Sequence, residues 1–392
     1  MLDQQQQQKE DQKSDNAISP VFQGSDQPDD FAPEPKMLPG SHAMKRARLI
    51  MNPVSGDDQP NLMKLPDIVA AMEAEDIRAD LAFTQLDSSP AVIAQRAAEE
   101  GYDMVVVAGG DGTVSEVAKG LLHAPIPLGI LPIGTYNNIA RSLNLPTDMA
   151  QACFVLAHGQ IKSIDVGLAN DEHYFFEAAG VGLDAALFPL GEEIKGGRWG
   201  RMFQAAQLVM GYQPQRLRIQ FDRPISEARQ QPSTRQRFGR RRVLSAPQEL
   251  HLNALLVAIA NGPYYGTGFT VAPDAIMDDG LLTVSVFRDF NKWELIRHFW
   301  SISRGQYHYS PKIETYCVAE VRLTSNAKLP VHIDGHLIGK LPVTLKTIKH
   351  ALKVIVPAAG TPIYKRNLDP NPPVALPVAE AESPQSDSAS TE

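Results

Sequence analysis

Cysteine is almost absent from this chain of 392 residues, which contains only Cys153 and Cys317. The two lie far apart in the sequence, and neither has a second cysteine or a histidine at the spacing of a metal site. The two cysteines therefore give no indication of a disulfide framework or of a cysteine-bound zinc site. We expect both residues to be small buried hydrophobic groups in a reduced, cytoplasmic setting.

Long apolar runs and an excess of positive charge are also missing. No segment approaches the roughly 18 consecutive apolar residues of a transmembrane helix. The first twenty residues, MLDQQQQQKEDQKSDNAISP, have neither the basic nor the apolar region of a secretory signal. The net charge of −8 argues against nucleic acid as a partner. We expect a cytoplasmic protein that meets any membrane only at its surface.

Three segments contain few residues able to build a core. Residues 1–43 are rich in Gln, Asp, Pro and Ser, residues 367–392 are rich in Pro, Ala and acids, and residues 222–249 contain seven arginines without any period. We expect the two ends to be disordered tails and residues 222–249 to be a flexible basic insertion. The insertion is either a solvated loop without a role or a contact with anionic lipid head groups, at about 1 kcal/mol per basic residue.

The remaining sequence divides into two parts with different patterns of apolar residues. Apolar runs alternate with helical periodicity up to about residue 165, which predicts an α/β domain with a doubly wound parallel sheet at residues 44–165. From about residue 166 to 340, most apolar runs read as strands separated by turn residues. This pattern predicts a β-rich, sandwich-like second domain.

A glycine-rich turn follows the third predicted strand, in the stretch VVVAGGDGTVSEVAKGLL. Thr113 and Glu116 form a capping-box pattern that predicts a helix starting at Thr113. Free amides and the helix dipole at such a start favour an anion, most often phosphate. Three residues without Cβ atoms would let the phosphate approach closely: Gly109, Gly110 and Gly112.

Asp111 stands between those glycines, although a carboxylate repels phosphate. It fits the turn if Mg²⁺ lies between the two, or if the carboxylate orients a reacting hydroxyl. The alternative is an ordinary strand–helix turn whose glycines serve backbone geometry alone.

Two further polar loops follow predicted strands. Asn52, Ser55 and Gly56 come after the first strand, and Gly134, Thr135 and Asn137 come after the fourth. In a doubly wound sheet the three loops open on the same carboxyl edge, where ligands bind. The chain contains neither the P-loop motif nor a G-x-G-x-x-G after the first strand, so these predict a nucleotide site of another type.

Taken in order, these motifs resemble the diacylglycerol kinase catalytic family of lipid kinases, which includes bacterial diacylglycerol kinases and the sphingosine and ceramide kinases. The resemblance spans residues 45–364 and runs through NPVSG, GGDGT, GTYNNIARSLNLP, NGPYYGTGFTVAPDAIMDDGLLTV and HIDGHLIGK. It implies an α/β nucleotide domain and a β-rich lipid domain, with ATP in the cleft between them and residues 341–366 returning to the first domain. It also implies ATP contacts at Thr84, Gly109, Gly110, Asp111, Gly112, Thr113, Val114, Ser115 and Thr135.

The segment HIDGHLIGK bears on catalysis in this resemblance. The family commonly has Asp-Gly-Glu there, with an acidic residue as the general base. This chain keeps Asp334 but has His336 where glutamate is common. The resemblance implies Asp334 as the essential group with His336 beside it; either can accept a proton from a primary alcohol. It also implies that Asp111 helps to hold the phosphates, whereas Asn138 replaces a frequent aspartate and Tyr136 a small residue.

The segment DAIMDDGLL resembles a structural magnesium loop of the same family. The implied ligands are the carboxylate of Asp279 and the backbone carbonyls of Ile276 and Leu281, and such oxygens suit Mg²⁺. The alternative for Asp278, Asp279 and Gly280 is a simple hairpin turn.

The resemblance implies an ATP- and Mg²⁺-dependent lipid kinase that phosphorylates the hydroxyl of a lipid alcohol. Diacylglycerol, giving phosphatidic acid, is the first choice of acceptor; a sphingoid base or a prenol-like alcohol also fits. The partners would be the lipid and, transiently, a membrane surface, with no nucleic acid. The alternatives are an NAD-kinase-like or other small-molecule kinase, and a catalytically weak module that binds lipid or nucleotide.

Overall fold

The computed structural model describes most of the chain between Met44 and Ala359. The described ranges are 44–53, 61–84, 89–183, 185–186, 201–222, 243–244, 247–266, 268–288, 290–291, 293–294, 297 and 312–359. The predicted tails, most of the predicted basic insertion, Ser55 and Gly56 lie outside these ranges.

The first half alternates strands and helices. Its strands are β1 (Lys45–Met51), β2 (Ile77–Phe83), β3 (Met104–Gly109) and β4 (Leu128–Pro132). A 3₁₀ helix covers Asn61–Lys64, and the α-helices are α1 (Leu65–Glu73), α2 (Pro90–Glu99), α3 (Asp111–Gly120), α4 (Asn138–Ser142) and α5 (Met149–His158). The strands pair in parallel in the order β4-β3-β1-β2, which confirms the predicted α/β sheet.

Strand β3 lies inside this sheet between β1 and β4, with Val106 opposite both Leu49 and Gly129. All six of its residues are buried. Side chains from α1, α2, α3 and α5 pack into the same core. A strand covered on both faces has no polar side to offer, so its sequence is a continuous apolar run.

The second half consists mainly of strands. They are β5 (Gln160–Ala169), β6 (His173–Phe175), β7 (Ala178–Gly182), β8 (Gln215–Phe221), β9 (Val243–Leu244), β10 (Glu249–Ala260), β11 (Tyr264–Tyr265), β12 (Phe269–Thr270), β13 (Leu282–Arg288), β14 (Ile313–Val318), β15 (Glu320–Thr324), β16 (Pro330–Ile333), β17 (His336–Lys340) and β18 (Val343–Val356). The helix α6 covers Arg201–Gly211. Most pairs are antiparallel, and a second core of Val, Ile, Leu and Phe lies against them, as predicted for the β-rich half.

Strand β18 joins the two halves through backbone hydrogen bonds. Its first residues pair with β15, its length runs antiparallel to β5, and Val354 pairs in parallel with Leu128 of β4. The predicted boundary at residue 165 falls within β5, whereas the boundary at 340 falls between β17 and β18. Both boundaries stay predictions.

Both cysteines have the environment expected from the composition of the chain. Cys153 and Cys317 are both buried, as predicted. Among the described helices, none combines the length and the apolar character needed to cross a membrane.

Close packing of α2 on α3 depends on one glycine. A Cβ at Gly120 would lie 2.0 Å from the carbonyl oxygen of Ala91, which is a backbone atom that cannot rotate away. We expect Gly120→Ala to lower the free energy of unfolding by about 1–3 kcal/mol through overpacking. Chemical denaturation measures this loss. Gly211→Ala, at a site with no atom within 4 Å, is the matched control; an equal loss in both variants would contradict this packing.

Candidate active site

The glycine turn after β3 leads directly into α3. The helix begins at Asp111, with Gly110 as its N-cap, and the amide of Val114 donates to the carbonyl of Gly110 at 3.0 Å. The predicted start at Thr113 is therefore wrong by two residues. The helix has no side-chain cap, and Glu116 pairs instead with Lys119 at 2.6 Å. The first amides of α3 thus have no partner within the helix.

A second glycine turn, after β4, packs against the first one backbone to backbone. A Cβ at Gly134 would lie 2.4 Å from the Cα of Gly110, so only glycine permits this contact. Asn137 closes the second turn: its Oδ1 accepts from the amide of Gly134 at 3.0 Å and its Nδ2 donates to the carbonyl of Gly134 at 2.7 Å. Asn137 has a φ of 51°, a region that asparagine tolerates.

A cleft of about 830 Å³ opens at the carboxyl ends of β1, β3 and β4. Its walls come from the glycine turns and from the second half of the chain. The lining residues are Asn52, Thr84, Pro90, Gly110, Asp111, Gly112, Thr113, Ser115, Glu116, Lys119, Gly134, Thr135, Tyr174, Glu177, Ile333, Asp334 and His336. Strand β1 pairs with β2 on one side and with β3 on the other, so the order of the strands reverses at β1. Open α/β sheets bind ligands at such a point, beyond the carboxyl ends of the strands.

Most of the predicted site residues within the described ranges meet in this cleft. The predicted nucleotide contacts that line it are Asn52, Thr84, Gly110, Asp111, Gly112, Thr113, Ser115 and Thr135. Gly109, Val114 and Asn137 do not line it; Gly109 is buried in β3, Val114 lies in the core and Asn137 is bonded within its own turn. Asp111, Asp334 and His336 share the cleft although they are distant in sequence.

Asp111 links the two glycine-turn segments. Its Oδ1 accepts the amide of Ile139 in α4 at 2.9 Å. Burial raises the pKa of the Asp111 carboxyl, and backbone hydrogen bonds from Ile139 and Asn138 oppose that shift. The carboxylate is thus held at the start of α3 with one oxygen engaged in holding α4.

Asp334 occupies the turn between β16 and β17. Asp334 and Gly335 both have positive φ, 41° and 84°, which suits an Asp-Gly hairpin turn. The Asp334 carboxylate accepts three backbone amides, from Phe176 at 2.7 Å, Glu177 at 2.9 Å and Ala178 at 3.1 Å. Burial raises the pKa of this carboxyl, whereas the three hydrogen bonds lower it. The side chain therefore anchors the segment between β6 (His173–Phe175) and β7.

His336 is the first residue of β17 and is exposed at the rim of the cleft. Its Nδ1 lies 3.1 Å from the carbonyl oxygen of Asp334. The ring is therefore placed at the entrance of the cleft and is more exposed than the Glu177 carboxyl.

Glu177 lines the cleft and was missed by the sequence reading. The residue is only 8% exposed, and its Oε2 accepts from Asn138 Nδ2 at 2.9 Å. Burial, together with the charges of Asp111 and Asp334, holds the pKa of Glu177 well above its usual range. The signal available in the sequence was a single acid within the apolar run YFFEAAGVG, since a charge in such a run has to be explained.

The predicted magnesium loop lies outside the cleft. Asp279 Oδ1 accepts the amide of Leu281 at 3.0 Å, and Asp278 pairs with Lys162 at 2.9 Å. The loop is not a hairpin turn, because β12 pairs with β11 while β13 pairs with β10 and β14. The ligands that the resemblance implies, the Asp279 carboxylate and the carbonyls of Ile276 and Leu281, are hard oxygen donors of the type that suits Mg²⁺.

The architecture and these motifs match known proteins. Residues 46–169 match the model of the diacylglycerol kinase catalytic domain, and residues 197–356 match the model of the YegS C-terminal NAD kinase beta sandwich-like domain. Residues 46–169 therefore belong to the diacylglycerol kinase catalytic domain family, and residues 197–356 to the YegS C-terminal domain family.

Relatives and solved structures agree with this membership. The chain is 27% identical over 318 residues to the diacylglycerol kinase of Staphylococcus carnosus, covering 80% of this chain and 95% of that protein. It is 28% identical over 320 residues to the diacylglycerol kinase of Staphylococcus saprophyticus, covering 80% and 96%. The fold is similar to a crystal structure of a diacylglycerol kinase from Bacillus anthracis, with a TM-score of 0.58, 21% identity, and coverage of 81% and 98%.

The anchoring role of Asp334 predicts a large effect on stability. We expect Asp334→Ala to lower the free energy of unfolding by at least about 2 kcal/mol, because each buried amide left unpaired costs about 1–3 kcal/mol. Asp334→Asn, which keeps one acceptor oxygen, should lose less. Denaturation in urea measures both. The exposed Asp67→Ala in α1 is the control, expected within about 0.5 kcal/mol of wild type; a similar small loss for Asp334→Ala would contradict the anchor.

Proposed function

We propose that this protein is an ATP-dependent lipid kinase that transfers the γ-phosphate of ATP to the hydroxyl of a lipid alcohol, with diacylglycerol as the acceptor and phosphatidic acid as the product. The observation that carries the proposal is the shared cleft: the uncapped start of α3, the buried Glu177 and the partly buried Asp111 and Asp334 face one space. Membership of the diacylglycerol kinase catalytic domain family supports this chemistry and favours it over an NAD-kinase-like activity.

The glycine turns supply the proposed phosphate site. A Cβ at Gly112 would have no atom within 4 Å, so the first turn of α3 borders open space in the cleft. Amides that have no partner within the helix, together with the positive end of the helix dipole, favour the phosphates of ATP there. Thr113, Ser115 and Thr135 line the same space and offer hydroxyl groups.

Two roles for Mg²⁺ belong to this proposal. The ion that accompanies ATP would offset the repulsion between the phosphates and Asp111. A second, structural ion would be held by the Asp279 carboxylate and by the carbonyls of Ile276 and Leu281. That loop does not line the cleft, so its ion would stabilise the fold and take no part in the transfer.

Phosphoryl transfer needs groups that position the reactants and one that receives the hydroxyl proton. In this proposal Asp111 orients the reacting groups at the start of α3. The family resemblance implies Asp334 or His336 as the proton acceptor, and both line the cleft. A lipid alcohol resides in a bilayer, so the enzyme would work in the cytoplasm and touch the membrane surface during turnover.

Transfer of labelled phosphate tests the proposed activity. Wild-type protein with γ-labelled ATP, Mg²⁺ and diacylglycerol in mixed micelles should yield labelled phosphatidic acid, identified by mass spectrometry. Sphingoid bases and prenols should be run beside it to define the acceptor. Label in NAD with none in lipid would overturn the proposal in favour of a nucleotide kinase. Tight ATP binding without lipid-dependent turnover would favour a binding module.

The contact between the glycine turns tests the nucleotide site. Gly134→Ala places a Cβ against Gly110 and pushes the first turn out of position, so ATP affinity should fall at least about tenfold, or 1.4 kcal/mol. Titration calorimetry measures this loss. The control Gly211→Ala, in α6, should bind ATP like wild type. Unchanged affinity in Gly134→Ala would place ATP elsewhere.

The structural ion is tested by thermal unfolding with and without Mg²⁺. Wild type should gain melting temperature with added Mg²⁺, because a ligand that binds only the folded state stabilises it. Asp279→Ala should lose this gain. The neighbouring Asp278→Ala, which removes only a partly exposed ion pair with Lys162, should keep it. Equal behaviour of the two variants would argue against the assigned ligands.

A further inference from the structure

Glu177 is held in the cleft by contacts on every side. Its amide donates to Asp334 Oδ1 at 2.9 Å, and its carbonyl accepts the amides of Asn261 at 2.9 Å and Gly262 at 3.2 Å. Its carboxylate accepts from Asn138 Nδ2 at 2.9 Å. A side chain with this many constraints keeps one orientation, as a group that must meet a reactant in fixed geometry requires.

We propose that Glu177 is the catalytic residue that accepts the proton of the acceptor hydroxyl, and that Asp334 and Asn138 are positioning residues that hold it. This inference rests on the proposed function, since it names the proton acceptor of that transfer.

The hydrogen bonds distinguish Glu177 from Asp334. A carboxylate offers about four lone-pair sites, and Asp334 uses three of them on the amides of residues 176–178. Those bonds favour the ionised form of Asp334 and so weaken it as a base. The result of the three bonds is a rigid segment whose central residue is Glu177.

The surrounding charges separate the two carboxyls further. Burial, together with the carboxylates of Asp111 on α3 and of Asp334 in the turn, raises the pKa of Glu177. Burial also raises the pKa of Asp334, but there the three backbone amides and His332 of β16 oppose the shift. The positive charge of Arg141 in α4 opposes the upward shift of the Asp111 pKa. Glu177 therefore lies beside two like charges, and a carboxylate whose pKa is raised is a stronger general base.

Asn138 suits this role of Glu177. Its side-chain amide donates both to Glu177 Oε2 and to the carbonyl of Gly266, at 2.9 and 2.7 Å. Aspartate is frequent at this position in the family that the sequence resembles. An aspartate here would place a carboxylate directly against Glu177 and would offer no hydrogen-bond donor. The asparagine thus orients the glutamate without adding another negative charge.

His336 has a different position. His336 is the first residue of β17 and is exposed, whereas Glu177 is buried in the wall of the cleft. A group that removes a proton during transfer benefits from a site that excludes water, because competing solvent is then absent. The rim position suits contact with the entering lipid.

The proposed transfer step conserves atoms and electrons. The acceptor oxygen forms a bond to the γ-phosphorus while its proton passes to the Glu177 carboxylate. The bond from the γ-phosphorus to the β,γ-bridging oxygen breaks, and the nucleoside diphosphate leaves with that electron pair. Glu177 later releases the proton to water.

Lipid phosphorylation by Glu177→Gln is the test. We expect kcat to fall about 100-fold or more, the size of a general-base contribution, with KM for ATP little changed. The acid limb of the pH–rate profile, which in wild type reports the ionisation of Glu177, should disappear. Glu172→Gln, on the preceding turn with a side chain 75% exposed, is the matched control and should behave like wild type.

Stability provides a readout that separates catalysis from structure. The folded state raises the pKa of Glu177, so wild type loses stability as pH rises from about 4, the unfolded value, to the folded pKa. Glu177→Gln removes this loss and should melt higher than wild type at neutral pH while turning over more slowly. A variant that is slower only because it is less stable would overturn the catalytic role.

A second variant covers the case in which Glu177→Gln does not fold. Glu177→Ala opens space for a small carboxylate, and added formate should restore part of its activity, which a purely structural residue would not show. If wild type phosphorylates lipid and both Glu177 variants do so at the same rate, this inference is wrong and the proposed function stands. Absence of lipid phosphorylation by wild type overturns the proposed function and this inference with it.

Discussion

The three hydrogen bonds from backbone amides to the Asp334 carboxylate join two segments of one wall of the cleft. Asp334 lies in the turn between β16 and β17, and the amides belong to the segment that joins β6 to β7. The strands alone would not fix the direction of residue 177, because Glu177 lies between two strands and belongs to neither. The ionic hydrogen bonds supply that constraint, so the geometry of the site depends on them.

The opposite wall depends on the absence of side chains. Gly110 and Gly134 touch through their backbones, and Asp111 ties the start of α3 to α4 through Ile139. The same wall brings Asp111 close enough to Glu177 to raise its pKa. Placing Asp111, Glu177 and Asp334 in one cleft lowers the stability of the folded state. Such a cost is typical of active sites. The packed cores of the two halves offset it.

Much of the fold was accessible from residue patterns. Apolar runs bounded by glycine and proline marked β1, β3 and β4, and the change of texture after residue 160 marked the β-rich half. Helix starts were less reliable. Thr113 and Glu116 have the capping-box spacing, yet α3 begins at Asp111 because the extended Gly110 already accepts its first hydrogen bond. The capping-box spacing therefore did not decide where α3 begins. The backbone turn at Gly110, which packs on Gly134, did.

The sequence by itself determined the α/β and β-rich halves and the glycine turn that contains Asp111, because spacing and residue type carry that information. Asp334 and His336 followed only from the resemblance of the sequence to a known family. Only the tertiary structure brought Glu177 beside Asn138 and Asp334, which are 39 and 157 positions away along the chain. Proton affinity depends on burial and on neighbouring charges, and neither is defined until distant segments pack together. A lone glutamate in an apolar run acquires its chemistry from the fold.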